Sequence, residues 1–192
     1  MSVQEATPVQ ITRHRFTVAE YERMGQVGII SEDERVELVA GEVVEMSPIG
    51  KRHAACVARL TRALTLLLQH AALVWTQNPI MLDDYSEPQP DVVLLKPRAD
   101  FYKNALPRPE DVLLVIEVSD TTLAYDRQVK VPLYARAGVP EVWVVNLHGE
   151  LVEVYANLAG GAYQTADSYG RGEELQSRSL ASLRVGVAEV LG

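Results

Sequence analysis

The chain predicts an α/β fold, a mixed β-sheet flanked by helices, with one hairpin on its N-terminal side and another as a C-terminal extension. Three observations carry this. The stretch "KRHAACVARLTRALTLLLQH" (51–70) places apolar residues at 57, 60, 64, 67 and 68, the three-and-four spacing of a helix with one buried face. The runs "VLLVIEV" (112–118) and "EVWVVNL" (141–147) are almost wholly apolar, as strands covered on both faces are. Between them lies a helical stretch ending near "YARAG". Strand, helix, strand is a βαβ unit, with the two strands parallel and the crossover right-handed.

The remaining elements follow in order. Thr17 and Glu20 form a capping box that opens a short helix, "TVAEYERM", which Gly25 ends. "RVELVAGEVVEM" alternates apolar and polar residues about Ala40-Gly41, which predicts a hairpin turning there. Val74 to Leu82 and Asp91 to Leu95 read as two strands joined by the turn-rich "DDYSEPQP". Residues 96–110 form a proline-containing connection that carries Lys96, Arg98, Lys103 and Arg108. Pro132 either kinks one crossover helix or opens a second as its first residue. "ELVEVYANLAGGAYQTADSYG" reads as a hairpin turning at Gly160-Gly161, and the segment after it is expected along a sheet edge.

At 192 residues the chain is of a size for one domain, 1–192, with a substantial core. No apolar run reaches the ~20 residues needed to cross a bilayer, and the longest, around Leu64 to Val74, is broken by Gln69 and His70. The N-terminus "MSVQEATPVQITRHRF" lacks the charged and apolar regions of a secretory signal, so a cytoplasmic protein without a membrane partner is expected. Cys56, the single cysteine, excludes an intrachain disulfide and any cysteine-rich zinc site, and its place on the helical apolar face predicts an inert thiol. The four histidines show no metal-ligand spacing, which argues against a zinc hydrolase. There is no G-x-S-x-G elbow or P-loop.

The net charge of −8 argues against coating of nucleic acid through bulk electrostatics, but the charge is unevenly spread. Residues 1–50 hold 9 acids and 4 bases and residues 137–192 hold 7 and 3, whereas residues 51–136 hold 10 and 11. The positive charge is therefore gathered in the same third of the chain as Glu117.

Glu117 interrupts an apolar strand. A buried carboxylate needs a partner or a metal, because unpaired ionised groups are expensive to take out of water. Asp91 stands at the start of "DVVLL", directly after Pro90, and Glu117 near the end of its own strand. Two carboxylates at adjacent strand ends repel, and a hard divalent cation, Mg²⁺ or Mn²⁺, relieves that repulsion. Ser119 shares the face of Glu117, while Val118 faces away and offers its carbonyl to a metal. Lys130, in the crossover, is the candidate cation for a phosphoryl oxygen or an attacking water, with Tyr134 one helical turn further on. Glu37 reads equally as a third acid of the site or as a solvated strand residue. An ion pair between Glu117 and Lys130 with no metal remains the structural alternative. A glycosidase needs two carboxylates as well, but neither the lysine nor the basic connection.

The segments "ELVAGEVVEM", "PQPDVV", "LLVIEVSD" and "KVPLYARAGVPEVWVVNL" together resemble the Uma-type family of restriction-endonuclease-like proteins, within the PD-(D/E)XK nuclease superfamily. The resemblance runs from about Thr17 to Tyr155, and it implies a restriction-endonuclease-like core over that range. Pro90 and Asp91 match the PD element and Glu117 the acid of (D/E)XK. Ser119 stands where the superfamily pattern has lysine, and the resemblance makes Lys130, moved to the neighbouring helix, the functional substitute. Glu37 resembles the acid of an early "YEL" segment in which Val36 replaces tyrosine, and His53 a histidine at the start of the long helix. The implied activity is Mg²⁺- or Mn²⁺-dependent endonucleolytic hydrolysis of nucleic acid, DNA foremost. Asp91, Glu117 and the Val118 carbonyl would hold the metal, Lys130 and Glu37 would assist, and Arg59, Arg62, Lys96 and Arg98 would contact the backbone. A homodimer is a further implied partner. The alternative reading is a catalytically silent nuclease-like binding or dimerisation module.

Overall fold

A computed structural model describes residues 12–192, so most of the stretch read for a secretory signal lies outside the described residues. Six strands form the main sheet in the order β3-β4-β5-β6-β7-β8: β3 (Leu73–Thr76), β4 (Val92–Leu95), β5 (Val112–Ser119), β6 (Val142–Asn146), β7 (Leu151–Ala159) and β8 (Ala162–Gly170). β5 and β6 are parallel, with Glu117 opposite Val144, and every other neighbouring pair is antiparallel. The mixed sheet expected from the βαβ pattern is thus present.

Strand periodicity sends alternate side chains to two separate cores. Val92, Leu94, Ile116, Val118, Trp143 and Val145 pack against Cys56, Val57, Leu60 and Leu64 of helix α2 (Lys51–Leu68). Val93, Leu95, Val115, Val142 and Val144 face the other way, against Leu133, Tyr134 and Val139 of the crossover and Ile80 and Leu82. Glu117, two residues beyond Val115, points into this second layer, beneath the crossover. Cys56 is fully buried, its thiol donates to the Val190 carbonyl, and burial pushes its pKa up to about 11.

Helix α1 (Val18–Gln26) opens with the expected capping box between Thr17 and Glu20. The hairpin of β1 (Val36–Val39) and β2 (Glu42–Glu45) turns at Ala40 (φ 51°) and Gly41 (φ 82°). Two consecutive positive φ values match the twist of the strands, and glycine meets one at no steric cost. A Cβ on Gly41 would also lie 2.6 Å from Cβ of Arg15. The hairpin is tied down by a bridge between Leu38 and Glu87.

Two expectations fail. The strand expected over Val74 to Leu82 stops at Thr76, because Gln77 takes φ 49° and Trp75 donates to the Pro79 carbonyl within the resulting turn. Ile80 and Leu82 are apolar as anchors of an irregular segment, and their burial mimics a strand pattern. The C-terminal segment does not lie along a sheet edge. It makes a separate small sheet, β9 (Glu174–Gln176) with β10 (Arg184–Gly186), and helix α5 (Val187–Leu191) buries Val187, Val190 and Leu191 in the α2 layer. Buried Glu141 fastens this segment, accepting from the backbone N–H groups of Arg178 (2.8 Å) and Ser179 (2.7 Å).

The crossover is built of three pieces, α3 (Leu123–Tyr125), a π-turn at Asp126–Lys130 and α4 (Val131–Ala137), with Gly138 closing the last in the left-handed region. Pro132 lies in the first turn of α4, where a missing N–H costs least. No helix among the described residues is long and apolar enough to cross a membrane.

Candidate active site

Antiparallel pairing of β4 with β5 puts Val92 opposite Ile116, so the start of one strand meets the end of the other. Asp91 and Glu117 are brought together by that register. The Asp91 carboxylate accepts from the Val118 backbone N–H at 2.8 Å, and the Asp91 N–H points at Glu117 Oε2 at 3.4 Å. The N–H and C=O of one strand residue lie on the same side, so the Val118 carbonyl also faces Asp91.

Lys130, the last residue of the π-turn, reaches between two acids. Its Nζ lies 3.2 Å from Glu117 Oε1 and 3.1 Å from Glu37 Oε2. Tyr134 OH donates to Glu117 Oε1 at 2.5 Å, the Gln89 N–H to Glu37 Oε2 at 3.0 Å, and Tyr125 OH reaches Glu37 Oε1 at 3.5 Å. Glu37 is 3 % exposed, so the solvated-strand reading of this residue is excluded. Burial raises the Glu117 pKa even with Lys130 opposing it. Burial by itself disfavours the Lys130 ammonium, but Glu117 and Glu37 outweigh it and hold that pKa above the ordinary lysine value.

His53, in the first turn of α2, places Nε2 3.0 Å from Asp91 Oδ1, and that hydrogen bond raises the histidine pKa against the effect of burial. Its Nδ1 is buried without a partner among the described residues. Ser119 donates to Asp126 Oδ2 (2.6 Å), as does Thr122 (2.7 Å). Ser119 therefore moors the π-turn that carries Lys130. These groups surround a cavity of about 330 Å³ lined by Glu37, His53, Asp91, Glu117, Val118 and Lys130.

Not every candidate residue faces this cavity. Tyr134 is fully buried behind Glu117, and Ser119 is turned to Asp126. Arg59 lines a separate cavity and Arg62 a groove beside β3. Lys96 lies past the far end of β4, five residues or roughly 16 Å along the chain from Asp91. Arg98 is taken up by Asp100, with which it makes two contacts of 2.6 and 2.8 Å. Conversely, Asp126, Tyr125 and Arg35 line the cavity without having been singled out. Asp126, four residues before Lys130 in a stretch read as helical, is the one whose spacing offered a signal.

The oxygen donors at the centre are hard: two carboxylates and one carbonyl. Among the described residues no three His, Cys, Asp or Glu side chains form a ready metal cage. Mg²⁺ is commonly held by one or two carboxylates, with waters and substrate phosphates completing its shell, and the donors present fit that pattern.

The family model Uma2, "Putative restriction endonuclease", matches residues 18–188. The chain belongs to the Uma2 family. No curated protein sequence matches it. Five chains of solved structures do. One is a crystal structure described as a putative nuclease belonging to DUF820 from Anabaena variabilis, 14% identical with a TM-score of 0.69, the match covering 92% of this chain and 97% of that one. The six-stranded mixed sheet with flanking helices is thus the fold of a restriction-endonuclease-like family. In this Uma2 chain the acid pair, the early glutamate and the crossover lysine converge on one cavity.

Proposed function

We propose that this chain is a divalent-metal-dependent endonuclease that hydrolyses phosphodiester bonds of nucleic acid, with DNA as its substrate. The supporting observation is the Lys130 ammonium set between Glu37 and Glu117 at a cavity whose other wall is Asp91. Asp91, Glu117 and the Val118 carbonyl would hold Mg²⁺ or Mn²⁺. Such an ion, when bound, polarises a phosphoryl oxygen and makes hydroxide available from water near neutral pH.

The chain's own groups do the rest. Lys130 has three N–H donors and two carboxylate neighbours, which leaves one direction for a substrate oxygen. Its charge there stabilises the negative charge that grows on phosphorus-bound oxygens during attack. Glu37 and Tyr134 keep that ammonium and Glu117 in place, and His53 fixes the rotamer of Asp91. Water adds to phosphorus, the bond to one ester oxygen breaks, that oxygen takes up a proton, and the phosphate stays on the other cut end.

Plasmid DNA incubated with Mg²⁺ or Mn²⁺ tests this. The wild-type chain is expected to nick and linearise it, and Lys130→Ala and Glu117→Ala to lose on the order of 100-fold or more. Cleavage that persists in both variants overturns the assignment of the site. A wild-type chain inert with every divalent metal favours a silent binding module, a reading to which the already satisfied Lys130 ion pairs lend weight.

A further inference from the structure

A second cavity, of about 380 Å³, opens on another face of the α2 N-terminus, walled by Lys51, Arg52, Arg59 and Arg171 with Glu150 as its single acidic side chain. The sequence places the bases there by helical spacing. At 100° per residue, Lys51, Arg52, Ala55 and Arg59 fall within roughly 100° of arc, and His53 lies about 100° further round, toward the acid cavity. Ala55, in the middle of the basic stripe, leaves the space the cavity occupies.

The cations are only partly satisfied. Arg52 and Arg59 each donate to a backbone carbonyl, of Leu147 and Leu191 respectively, and neutral carbonyls do not compensate their charge; the carboxylate paired with Arg52, Asp120, stands off at 3.7 Å. Arg59 Nε is buried with no hydrogen-bond partner among the described residues. Arg171 meets the Gly192 main-chain oxygen at 3.0 Å and Glu150 at 3.3 Å, the latter an exposed pair of little energetic weight. Four bases against Glu150 and the outlying Asp120 leave a local positive excess in a chain of net charge −8.

One side-chain contact links the linings of the two cavities. Arg52 Nη1 lies 3.7 Å from Asp120, and Asp120 lines the acid cavity. The Arg52–Asp120 pair therefore stands between the acid cavity and the bases. Several cations spread around an open cavity suit a run of phosphates, which basic side chains hold without reading sequence.

We propose that this basic cavity seats the phosphodiester backbone of the nucleic acid flanking the scissile bond. The subsite rests on the endonuclease reading and differs from the basic residues expected from the sequence: it adds Lys51, Arg52 and Arg171, keeps Arg59, and leaves out Arg62, Lys96 and Arg98.

The test compares the full-length chain with Lys51→Glu/Arg171→Glu and with Lys103→Glu/Arg136→Glu, which makes the same charge change at exposed sites elsewhere. Anisotropy of a fluorescein-labelled DNA duplex in EDTA is measured across a salt series, and plasmid cutting with Mn²⁺ in parallel. The first variant is expected to lose about tenfold or more in affinity at moderate salt and to flatten the log K against log salt slope by about two, and the second to stay close to wild type. Equal losses in both variants, or wild-type binding in the first, overturn the subsite, as does a wild-type chain that fails to bind the duplex at low salt. A wild-type chain that binds through Lys51 and Arg171 but cuts nothing overturns the endonuclease reading and leaves the backbone seat standing.

Discussion

Replacing Lys130 with methionine removes the one cation between two buried carboxylates while keeping an unbranched chain of similar length. Lys130, Glu37 and Glu117 are 5, 3 and 3 % exposed, so solvent does little to screen the loss. Breaking a buried ion pair by deleting one partner costs about 3–5 kcal/mol. For a chain of this size that is a fall in Tm of roughly 6–20 °C. The cost should depend on pH. Burial already raises the Glu117 pKa, and removing the lysine that opposes it raises it further. A carboxyl whose folded pKa lies above its unfolded one adds stability fully below the unfolded value and loses it as pH rises through the folded value. Lys130, held above the ordinary lysine range, stays charged in the wild type across the whole interval. Hence the deficit of Lys130→Met should be smallest near about pH 5 and larger near about pH 9, above the value of about 8 to which burial raises the wild-type Glu117 carboxyl. Urea unfolding of both proteins at the two pH values measures it. The variant Glu37→Gln/Lys130→Met/Glu117→Gln, with no buried charge left, should regain most of the stability. A deficit below about 1 kcal/mol, or one equal at both pH values, would refute the reasoning.

Two other perturbations probe the surroundings of the site. Glu87 is 8 % exposed with Oε2 unpartnered, and burial, helped by Glu22, pushes its carboxyl up to about 7. Its contribution is present below about pH 4.5 and lost as pH rises through 7, so Glu87→Gln should be more stable than wild type at pH 8 by about 1–3 kcal/mol and level with it at low pH; equal urea midpoints at pH 8 would count against it. Ser119→Ala leaves buried Asp126 with one hydroxyl donor in place of two, for an expected loss of about 1–3 kcal/mol together with a fall in plasmid cutting as the π-turn loosens; a loss under about 0.5 kcal/mol would show that Ser119 does not moor it.

Of the acids and the lysine, only Glu117 is legible because it breaks a local rule. Glu117 stands in an apolar strand, and the family segments tie it to Asp91 and Lys130. Long elements with an unambiguous period, such as α2, β5 and β6, were legible for the same local reason. β3 was overextended because Ile80 and Leu82 are buried in both a strand and an irregular anchor, and burial is what apolar patterning reports. The C-terminal segment was misplaced because nothing local tells a short apolar helix whether to cover an edge or a face. The placing of the bases is illegible for a similar reason. Lys96 and Arg98 are near Asp91 in sequence, but an extended strand carries them away from it, whereas Arg171 is distant in sequence and folds back beside Arg52.

By itself the sequence determined the βαβ core, the long helix, both hairpins and the identity of the chemical groups, since periodicity, turn chemistry and the cost of burying charge act over short stretches of chain. Only the tertiary structure decided which acid shares Lys130, that Ser119 holds Asp126, and which bases share a cavity. Those outcomes depend on strand register, on one π-turn and on the packing of residues far apart in the chain, and distances of a few ångströms between such residues are set by the whole core at once.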